Sequence, residues 1–576
     1  MNSIIVKNTE KNMTPVIREL LCNLENNTVL EFEKGEYHFY PEGSYVGTFY
    51  PSNNGSGVKN VVFYINDKNS ITIKGNDSTF VFHGEISPFI VENSQEIIFE
   101  DFKVDFATPQ AYQAEVIEAC DDYLELYVDK SAFPYAINDN KLYFQLEKKD
   151  EEVSFIYLFN TDGKREKKYR KDPVRYNMAY LILGDNNGNS RFDIGNEGAD
   201  NPRYMRVNLT EEKGNIRFIY KPNTNKMFYD KGDKLVLHFK RSRDNDTFFI
   251  NNCINTKFNK ITIYRGSAMG IIAQLCENIE ISQLYIGTNP KRKDLVTTTA
   301  DGFMVVDCSG KIILRDSYIG NTLDDGFNSH STYMLIDKVF DNKIIAKFAH
   351  HEKDGFVPFR KDDKIQISDG EKSVDIARLT VKSAKLYDGD INRIIIECNE
   401  PISDNIKENF VLYNLDLSPE LEFVGNEFYN VPALLFASSR KAYFSRNKIT
   451  TRLEALRMKD SMAGTKEYEM KRISNLTVED NEFVNCCEWY DDYLISIGRF
   501  AGEDRPKALL HKNIILRNNK FSGNNPKLFN LECCENVVIE GNEYINSKTE
   551  VSELGVSPIK LSYCKNIQLD NNLLKF

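Results

Sequence analysis

Hydrophobic and polar residues alternate along many short segments of this chain, and most of these segments share one pattern. In each copy an Asn precedes a run of alternating apolar residues, and a second Asn or Asp precedes an aromatic or aliphatic pair. Alternation with a period of two is typical of a β-strand that buries one face. The clearest copies occupy residues 277–285, 474–483, 512–521, 535–544 and 565–574.

The spacing of these copies predicts a solenoid. Asn513, Asn536 and Asn566 begin three successive copies and are separated by 23 and 30 residues. Repeats of this length built from short strands indicate coils that stack on one another. We see no helical pattern of the kind that separates the strands of a βαβ sheet, so a parallel β-helix is the simplest fold. A β-propeller is the main alternative, but its blades need four antiparallel strands and about 40–45 residues each.

Two stretches interrupt the pattern. They are richer in charge and contain hairpin-like strands, so we expect each to be an antiparallel β-barrel or sandwich inserted into a solenoid loop. A short amphipathic helix is predicted within residues 10–26, where it would cap the open end of the solenoid. The predicted segments are 1–110 (cap and first coils), 111–245 (first insertion), 246–332 (central coils), 333–414 (second insertion) and 415–576 (C-terminal coils).

Composition excludes several classes of protein. The 576 residues are 41% hydrophobic and 27% charged, which is typical of a folded globular chain. The net charge of −12 argues against a nucleic-acid partner, and no apolar run approaches the roughly 20 residues of a membrane span. Residues 1–6 carry neither a basic region nor a long apolar one, so we predict no signal peptide; the location stays open between the cytoplasm and export with a leader that has been removed. The 11 cysteines lack paired C-x-x-C units and are expected to be free thiols.

Stacking the copies in register brings two Asp-Gly-Phe triplets onto one bend. Asp301 and Asp325 are 24 residues apart, which is one coil, and Asp324 adjoins the second of them. Three carboxylates this close cannot all ionise freely, so at least one pKa should rise. Glycosidases use such a set, with one protonated carboxyl for the leaving oxygen and one ionised carboxylate for water. A structural Asp ladder and a calcium site are the alternatives that spacing alone leaves open.

Other motifs give weaker signals. Residues 185–193 resemble part of a calcium loop but lack the Glu of its twelfth position, so a polar hairpin turn is the preferred interpretation. The run His350-His351-Glu352 is interpreted as a solvated loop, with metal binding as a minor alternative. We predict no metal and no cofactor.

The two segments around the aspartates resemble a known family. Thr298-Thr-Ala-Asp-Gly-Phe303 and Thr322-Leu-Asp-Asp-Gly-Phe-Asn-Ser-His330 are similar to the active-site core of the α-1,3-galactosidases of glycoside hydrolase family 110. His83-Gly84, Pro88-Phe89 and the two insertions support the resemblance, which covers essentially the whole chain in domain order. It implies an all-β fold, a right-handed parallel β-helix with two inserted antiparallel β-barrel domains.

The resemblance also implies a reaction. The family hydrolyses terminal α-1,3-linked galactose with inversion, so the expected partner is a galactose-terminated glycan such as blood-group B or a linear α-galactosyl epitope. Carried over by motif, Asp324 is the general acid, and Asp301 and Asp325 are the bases that activate water. A homodimer is left open.

Four further residues are candidates for binding the sugar. Gln274 and His330 occupy equivalent positions on nearby coils, Asn328 follows Asp325 by three residues, and Arg265 precedes the first of these coils. Each offers hydrogen-bond donors to sugar hydroxyls. Arg457 and the stretch Glu467-Tyr468-Glu469 are weaker candidates on a later loop.

Two alternative functions are kept. Polygalacturonases share a similar Asp plus Asp-Asp arrangement, but here Ser329 and Ser331 flank His330 where that family has Gly-His-Gly. Their acidic substrate, which a related β-helix lyase would share, also needs cationic partners that the net charge of −12 does not suggest. The other alternative is a non-catalytic solenoid that binds glycans.

Overall fold

The fold is seen in a computed structural model, and its description is confined to part of the chain. Within the described residues, no helix is long and apolar enough to cross a membrane. The predicted calcium-like loop at 185–193 lies outside them. The described residues are 2–147, 150–158, 178–182, 204–221, 229–239, 243–350, 352–438, 440–462, 468–487, 492–499, 508–546 and 557–575.

A parallel β-helix forms the body of the protein, and the strands of its coils build two large sheets. The strands of each coil pair with those of the next coil in parallel. The first sheet, here called the long sheet, has 22 strands. They are Asn2–Val6, Thr28–Phe32, Glu36–Phe39, Asn69–Phe82, Gln95–Phe106, Ile254–Ile263, Glu277–Ser282, Tyr285–Ile286, Ser309–Arg315, Tyr318–Gly320, Glu420–Val424, Glu427–Val431, Ala442–Ser445, Lys448–Thr451, Ser474–Glu479, Glu482–Val484, His511–Arg517, Lys520–Gly523, Cys534–Glu540, Glu543–Asn546, Lys565–Asp570 and Leu573–Lys575.

The second sheet, here called the site sheet, has 13 strands and carries the aspartates at the start of two of them. Its strands are Tyr45–Phe49, Gly57–Asn66, Ser87–Glu92, Phe248–Asn251, Ile271–Gln274, Phe303–Val306, Phe327–Thr332, Leu434–Leu435, Leu456–Asp460, Glu469–Met470, Ile495–Arg499, Phe529–Glu532 and Ile559–Ser562.

Alternating residues of both sheets fill one core that runs along the β-helix. Equivalent inward positions on successive coils stack, as the rings of Phe89 and Phe248 do at a centroid distance of 4.4 Å. The single helix of the described residues, Thr14–Cys22, buries Ile17 and Leu21 in the same core. It starts next to Pro15, whose fixed φ angle suits the first turn.

Both insertions are β domains. The second closes into a six-stranded barrel, and seven strands of the first pair in a closed circuit, antiparallel except for one pair. With the stacked coils, this confirms the predicted fold class of a parallel β-helix with two inserted β-barrels. The first insertion contains Tyr112–Ala119, Tyr123–Tyr127, Tyr135–Asn138, Lys141–Gln145, Asp150–Leu158, Met178–Ile182, Tyr204–Glu212, Asn215–Tyr220 and Lys234–Phe239; the second contains Met334–Phe340, Lys343–Phe348, Lys364–Asp369, Val374–Tyr387, Asp390–Cys398 and Val411–Asn414.

A buried ladder of asparagines explains the second Asn of the repeated pattern. Asn481 accepts hydrogen bonds at Oδ1 from the backbone N (2.9 Å) and the Nδ2 (3.0 Å) of Asn447. Its own Nδ2 donates to Phe444 O and to Asn519 Oδ1, both at 2.9 Å. The same arrangement links Asn519 to Asn542. The ladder therefore satisfies polar groups that the stacked bends would otherwise leave buried without partners.

Replacing Asn481 by Leu should destabilise the protein. The change leaves several buried groups without partners, and each such group costs about 1–3 kcal/mol. We expect a clear fall in the midpoint of thermal unfolding measured by circular dichroism. The matched control is Lys520→Ala at an exposed position, which should change stability by less than about 0.5 kcal/mol. Equal midpoints for the two variants would show that the ladder contributes nothing.

Candidate active site

Register in the site sheet brings the two Asp-Gly-Phe triplets together. Phe303 pairs with Phe327, and Val306 pairs with His330. Asp301 and Asp325 both lie two residues before the paired phenylalanines, so they occupy the same bend on neighbouring coils. The backbone N of Gly302 donates to Asp325 O at 2.9 Å and fixes this alignment.

An irregularity of the bend places Asp324 opposite Asp301. Leu323 N donates to Thr298 O at 3.0 Å, and the next hydrogen bond between these coils joins Gly302 to Asp325. Between the two bonds, one coil contributes the three residues 299–301 and the other contributes Asp324 alone. Oxygen atoms of the Asp301, Asp324 and Asp325 carboxylates consequently lie within 4.8 Å of one another.

The glycine after each aspartate permits this close stacking. A Cβ atom on Gly302 would lie 2.8 Å from the carbonyl oxygen of Gly326 and 2.5 Å from Cγ2 of Ile319. Contacts this short are forbidden, so a side chain there would push the coils apart. The Asp-Gly-Phe triplet is thus a packing requirement as well as a source of carboxylates.

Burial makes the carboxylate set electrostatically unusual. Asp301 and Asp325 are 3% and 6% exposed, whereas the Asp324 side chain is 39% exposed and pairs with the guanidinium of Arg243. Burial, and then repulsion from Asp324 and Asp325, raises the pKa of Asp301 well above its ordinary value. Burial and the Asp324 charge raise the pKa of Asp325 to about 8. The three carboxyl groups therefore retain at least one proton near neutral pH.

The same electrostatics bear on the calcium alternative. Calcium in proteins takes six to eight oxygen ligands that carry full negative charge or carbonyl dipoles. Here the Arg243 cation already pairs with Asp324, and it also attracts Asp301. A guanidinium beside three carboxyl groups fits a proton-handling site better than a divalent-cation site.

Beside the carboxylates lies a second group of polar residues, here called the polar cluster: the buried His330, Lys353, Glu469 and Lys471, and the partly exposed Asn53. Glu469 is its centre. Its carboxylate lies 2.7 Å from Lys471 Nζ, 3.5 Å from Lys353 Nζ and 3.5 Å from His330 Nε2. Asn53 Nδ2 donates to it at 2.7 Å.

Charges in the polar cluster are paired but not fully hydrogen-bonded. Burial alone would raise the pKa of Glu469, but contacts with His330, Lys471 and Lys353 hold that pKa well below its ordinary value. Burial lowers the pKa of His330 well below its ordinary value, so the ring is neutral. Among the described residues, His330 Nε2 and Lys353 Nζ have no hydrogen-bond partner. Buried polar atoms of this kind are suited to binding a ligand that supplies the missing partner.

The polar cluster and the carboxylates belong to one site. The charges of Arg457, Lys471 and Glu469 act on the pKa of Asp325, and the charge of Glu469 also acts on the pKa of Asp301. Of the predicted sugar-binding residues, His330 lies in the cluster, and Asn328 Oδ1 is 3.4 Å from His330 Nδ1. Of the weaker candidates, Arg457 and Glu469 also lie here, and Glu467 lies outside the described residues.

The side chains of Gln274 and Arg265 bind other parts of the protein and not the three carboxylates. The Oε1 atom of Gln274 accepts from Ser52 N at 2.8 Å and its Nε2 donates to Tyr50 O at 3.2 Å, so this side chain anchors the loop after Phe49. Arg265 makes a bidentate ion pair with Asp294, at 2.7 and 3.1 Å. In the structure both side chains serve contacts within the protein rather than contacts to the three carboxylates.

Sequence reasoning missed Arg243, Lys353 and Lys471. Arg243 comes from the end of the first insertion and Lys353 from the second, so neither shares the spacing of the coil repeat. Lys353 follows the run at 350–352 that was interpreted as a solvated loop. His351 lies outside the described residues, whereas Lys353 is buried and Glu352 O accepts from Asn53 N at 2.9 Å.

Replacing Asp325 by Asn should stabilise the protein at alkaline pH. The folded chain keeps a proton on Asp325 that the unfolded chain releases above about pH 4. Stability is therefore lost as pH rises from about 4 towards 8, where burial of the carboxylate becomes unfavourable. The Asn variant lacks this loss, so its melting temperature should exceed that of the unmodified protein at pH 8 and match it at pH 4. The same difference at both pH values would contradict the assigned cause.

Comparison with known proteins adds named relatives. No family model matches the chain. An α-1,3-galactosidase A of Shewanella woodyi is 26% identical over 571 residues, covering 95% of this chain and 87% of the relative. An α-1,3-galactosidase B of Bacteroides thetaiotaomicron is 24% identical over 580 residues, covering 98% and 88%. An α-1,3-galactosidase B of Akkermansia muciniphila is 24% identical over 583 residues, covering 99% and 68%.

Solved structures are more distant. A polygalacturonase from Erwinia carotovora aligns over 100% of this chain and 94% of its own, with a TM-score of 0.40 and 8% identity. A lacto-N-biosidase from Eubacterium ramulus covers 99% of this chain and 68% of its own, with a TM-score of 0.35 and 8% identity.

Proposed function

We propose that this chain, a member of the α-1,3-galactosidase family, is an exo-acting glycoside hydrolase that releases terminal α-1,3-linked galactose. Relatives with that name match it along nearly its whole length, which confirms the resemblance drawn from the sequence. The observation that carries the proposal is the set of three carboxyl groups, two of them buried, within 4.8 Å of one another. Two carboxyl groups in opposite protonation states are what glycoside hydrolysis requires.

In this proposal each carboxyl group has a defined task. Asp324 gives a proton to the glycosidic oxygen as the bond from that oxygen to C1 of galactose breaks. Asp301 or Asp325 takes a proton from a water molecule as the water oxygen bonds to C1 from the opposite face. Attack from the opposite face gives galactose with inverted configuration and the shortened glycan. Inversion is taken from the family resemblance, because carboxyl oxygens within 4.8 Å of one another are closer than the roughly 6.5–9.5 Å usual for the carboxyl pair of an inverting enzyme. Partial exposure of Asp324 supports its task, because the acid must reach the leaving group.

Arg243 holds the acid in place. Its guanidinium forms an ion pair with Asp324, while burial favours the protonated form of Asp325. The acid must nevertheless be protonated when the substrate is bound. Because the carboxyl oxygens lie within 4.8 Å of one another, a proton held by the buried pair can pass to Asp324 when the leaving oxygen arrives.

The polar cluster supplies recognition of the sugar. The Glu469 carboxylate accepts hydrogen bonds, and the ammonium groups of Lys353 and Lys471 donate them. Sugar hydroxyl groups both donate and accept, so they can bind to both kinds of partner.

Replacing Asp324 by Asn should remove hydrolysis of α-1,3-galactobiose while sparing α-galactosyl fluoride. Loss of a general acid costs about 10²–10⁴-fold in rate, but fluoride leaves without protonation. Initial rates of galactose or fluoride release measure the two reactions. Asp316→Asn, at an exposed bend position outside the site, is the matched control and should leave both rates unchanged. An Asp324→Asn variant that cleaves the disaccharide at the rate of the unmodified protein would show that Asp324 is not the general acid.

The stereochemistry of the reaction is tested by proton NMR of the galactose that the unmodified protein releases first. Initial formation of α-galactose would contradict inversion.

Replacing Arg243 by Gln should shift the pH profile of kcat/KM towards higher pH. Without the guanidinium, which lowers the pKa of Asp301, that carboxyl group binds its proton more tightly, so the limb of the profile that Asp301 sets moves upward. The control is Arg315→Gln, which breaks an exposed ion pair with Glu422 on the long sheet and should leave the profile in place. If the Arg243 variant has a lower kcat/KM but the limbs of its pH profile stay at the same pH values, Arg243 acts only through packing.

A further inference from the structure

The loop of residues 50–56 follows the first strand of the site sheet and reaches three distant parts of the chain. Gly55 N donates to a backbone carbonyl at the end of the first insertion, at 3.0 Å. Ser56 Oγ donates to Asp354 Oδ1 in the second insertion, at 2.6 Å. Asn53 lies in the same loop and reaches the polar cluster, but the mechanism above gives its side chain no task.

Asn53 contacts two members of the polar cluster in different ways. Its φ angle of 60° lies in the left-handed region, which Asn adopts more readily than most residues. In this conformation its backbone N donates to Glu352 O at 2.9 Å, next to Lys353. Its Oδ1 accepts from Ser52 Oγ at 2.8 Å, which turns Nδ2 towards Glu469. The backbone of Asn53 therefore holds the segment that carries Lys353, and its side chain holds Glu469.

Three nitrogen atoms surround one oxygen of the Glu469 carboxylate. Asn53 Nδ2 lies 2.7 Å from Oε1, which is a hydrogen-bond distance. Lys353 Nζ and His330 Nε2 each lie 3.5 Å from the same oxygen, and neither has a hydrogen-bond partner among the residues that the structure describes. The other oxygen, Oε2, lies 2.7 Å from Lys471 Nζ. Asn53 thus occupies the acceptor that the two more distant nitrogen atoms would otherwise approach.

We infer that Asn53 is a positioning residue for recognition of the sugar: by binding Oε1 of Glu469, it leaves the nearby lysine and histidine nitrogens available for sugar hydroxyl groups. The inference rests on the proposed function. A buried ammonium group without a hydrogen-bond partner is costly, so in the absence of Asn53 we expect Lys353 to close on the Glu469 carboxylate. The sugar then has to break an internal ion pair before it can bind, and its affinity falls.

Replacing Asn53 by Gly tests the inference, because glycine keeps the left-handed backbone and loses only the side chain. KM should rise about tenfold for both α-1,3-galactobiose and α-galactosyl fluoride, which present the same terminal galactose. The value of kcat should stay within about twofold, because the three aspartates are untouched. A crystal structure of the variant gives a readout that needs no substrate: Lys353 Nζ should lie within about 3.2 Å of Glu469 Oε1. The control is Ser56→Ala, which removes a contact of the same loop outside the polar cluster and should leave both kinetic constants unchanged.

The possible results separate the two proposals. If KM is unchanged in the Asn53→Gly variant, if only kcat falls, or if Lys353 Nζ stays about 3.5 Å from the carboxylate, the positioning task is overturned while the galactosidase activity stands. An equal rise in KM in the Ser56→Ala variant would also overturn it, because the loop would then act as a whole. An unmodified protein that cleaves neither substrate would overturn the proposed function, whereas the distance in the variant structure would still report on Asn53.

A second variant guards against misfolding. Asn53→Asp also tolerates the left-handed backbone but presents no donor to Glu469, so it should raise KM in the same way. Melting temperatures close to that of the unmodified protein show that each variant is folded. If one variant fails to fold, the other decides the result.

Discussion

Pairing of neighbouring coils through main-chain hydrogen bonds is the constraint on which this site depends. The bond from Gly302 N to Asp325 O, and the register that pairs Phe303 with Phe327, place two acidic corners above one another. Glycine after each aspartate is required because a Cβ atom would meet the next coil. A shift of one residue would turn these side chains towards the core and remove the site, as in any strand whose faces alternate.

Burial of the carboxyl groups then determines how tightly each of them binds a proton. Two carboxyl groups are held in a low-dielectric bend where ionisation is unfavourable, and a third is half exposed and paired with Arg243. The resulting spread of proton affinities arises from position, because all three groups are the same residue type. Similar reasoning applies to Glu469, whose pKa is held low by its contacts with His330, Lys471 and Lys353.

The insertions complete a site that the coils begin. The coils supply the aspartates, His330 and Asn328, whereas Arg243 comes from the first insertion and Lys353 from the second. The first insertion returns to the β-helix just before the strand Phe248–Asn251, and the second leaves it after the strand Phe327–Thr332, so residues of both insertions reach the site. An exo-acting enzyme needs such an enclosed site, and a bare solenoid face does not provide one.

The sequence by itself determined the parallel β-helix, because its repeat length and alternating pattern leave few other ways to bury the apolar residues. It also determined the column of Asp301 and Asp325, since a single coil separates two identical triplets. Only the tertiary structure decided that Gln274 anchors a loop and that Arg265 pairs with Asp294, because a shared coil position does not say where a side chain points. It also brought in Arg243, Lys353 and Lys471, which lie outside the repeat. Contacts between segments so distant along the chain follow from three-dimensional packing, and local periodicity carries no information about them.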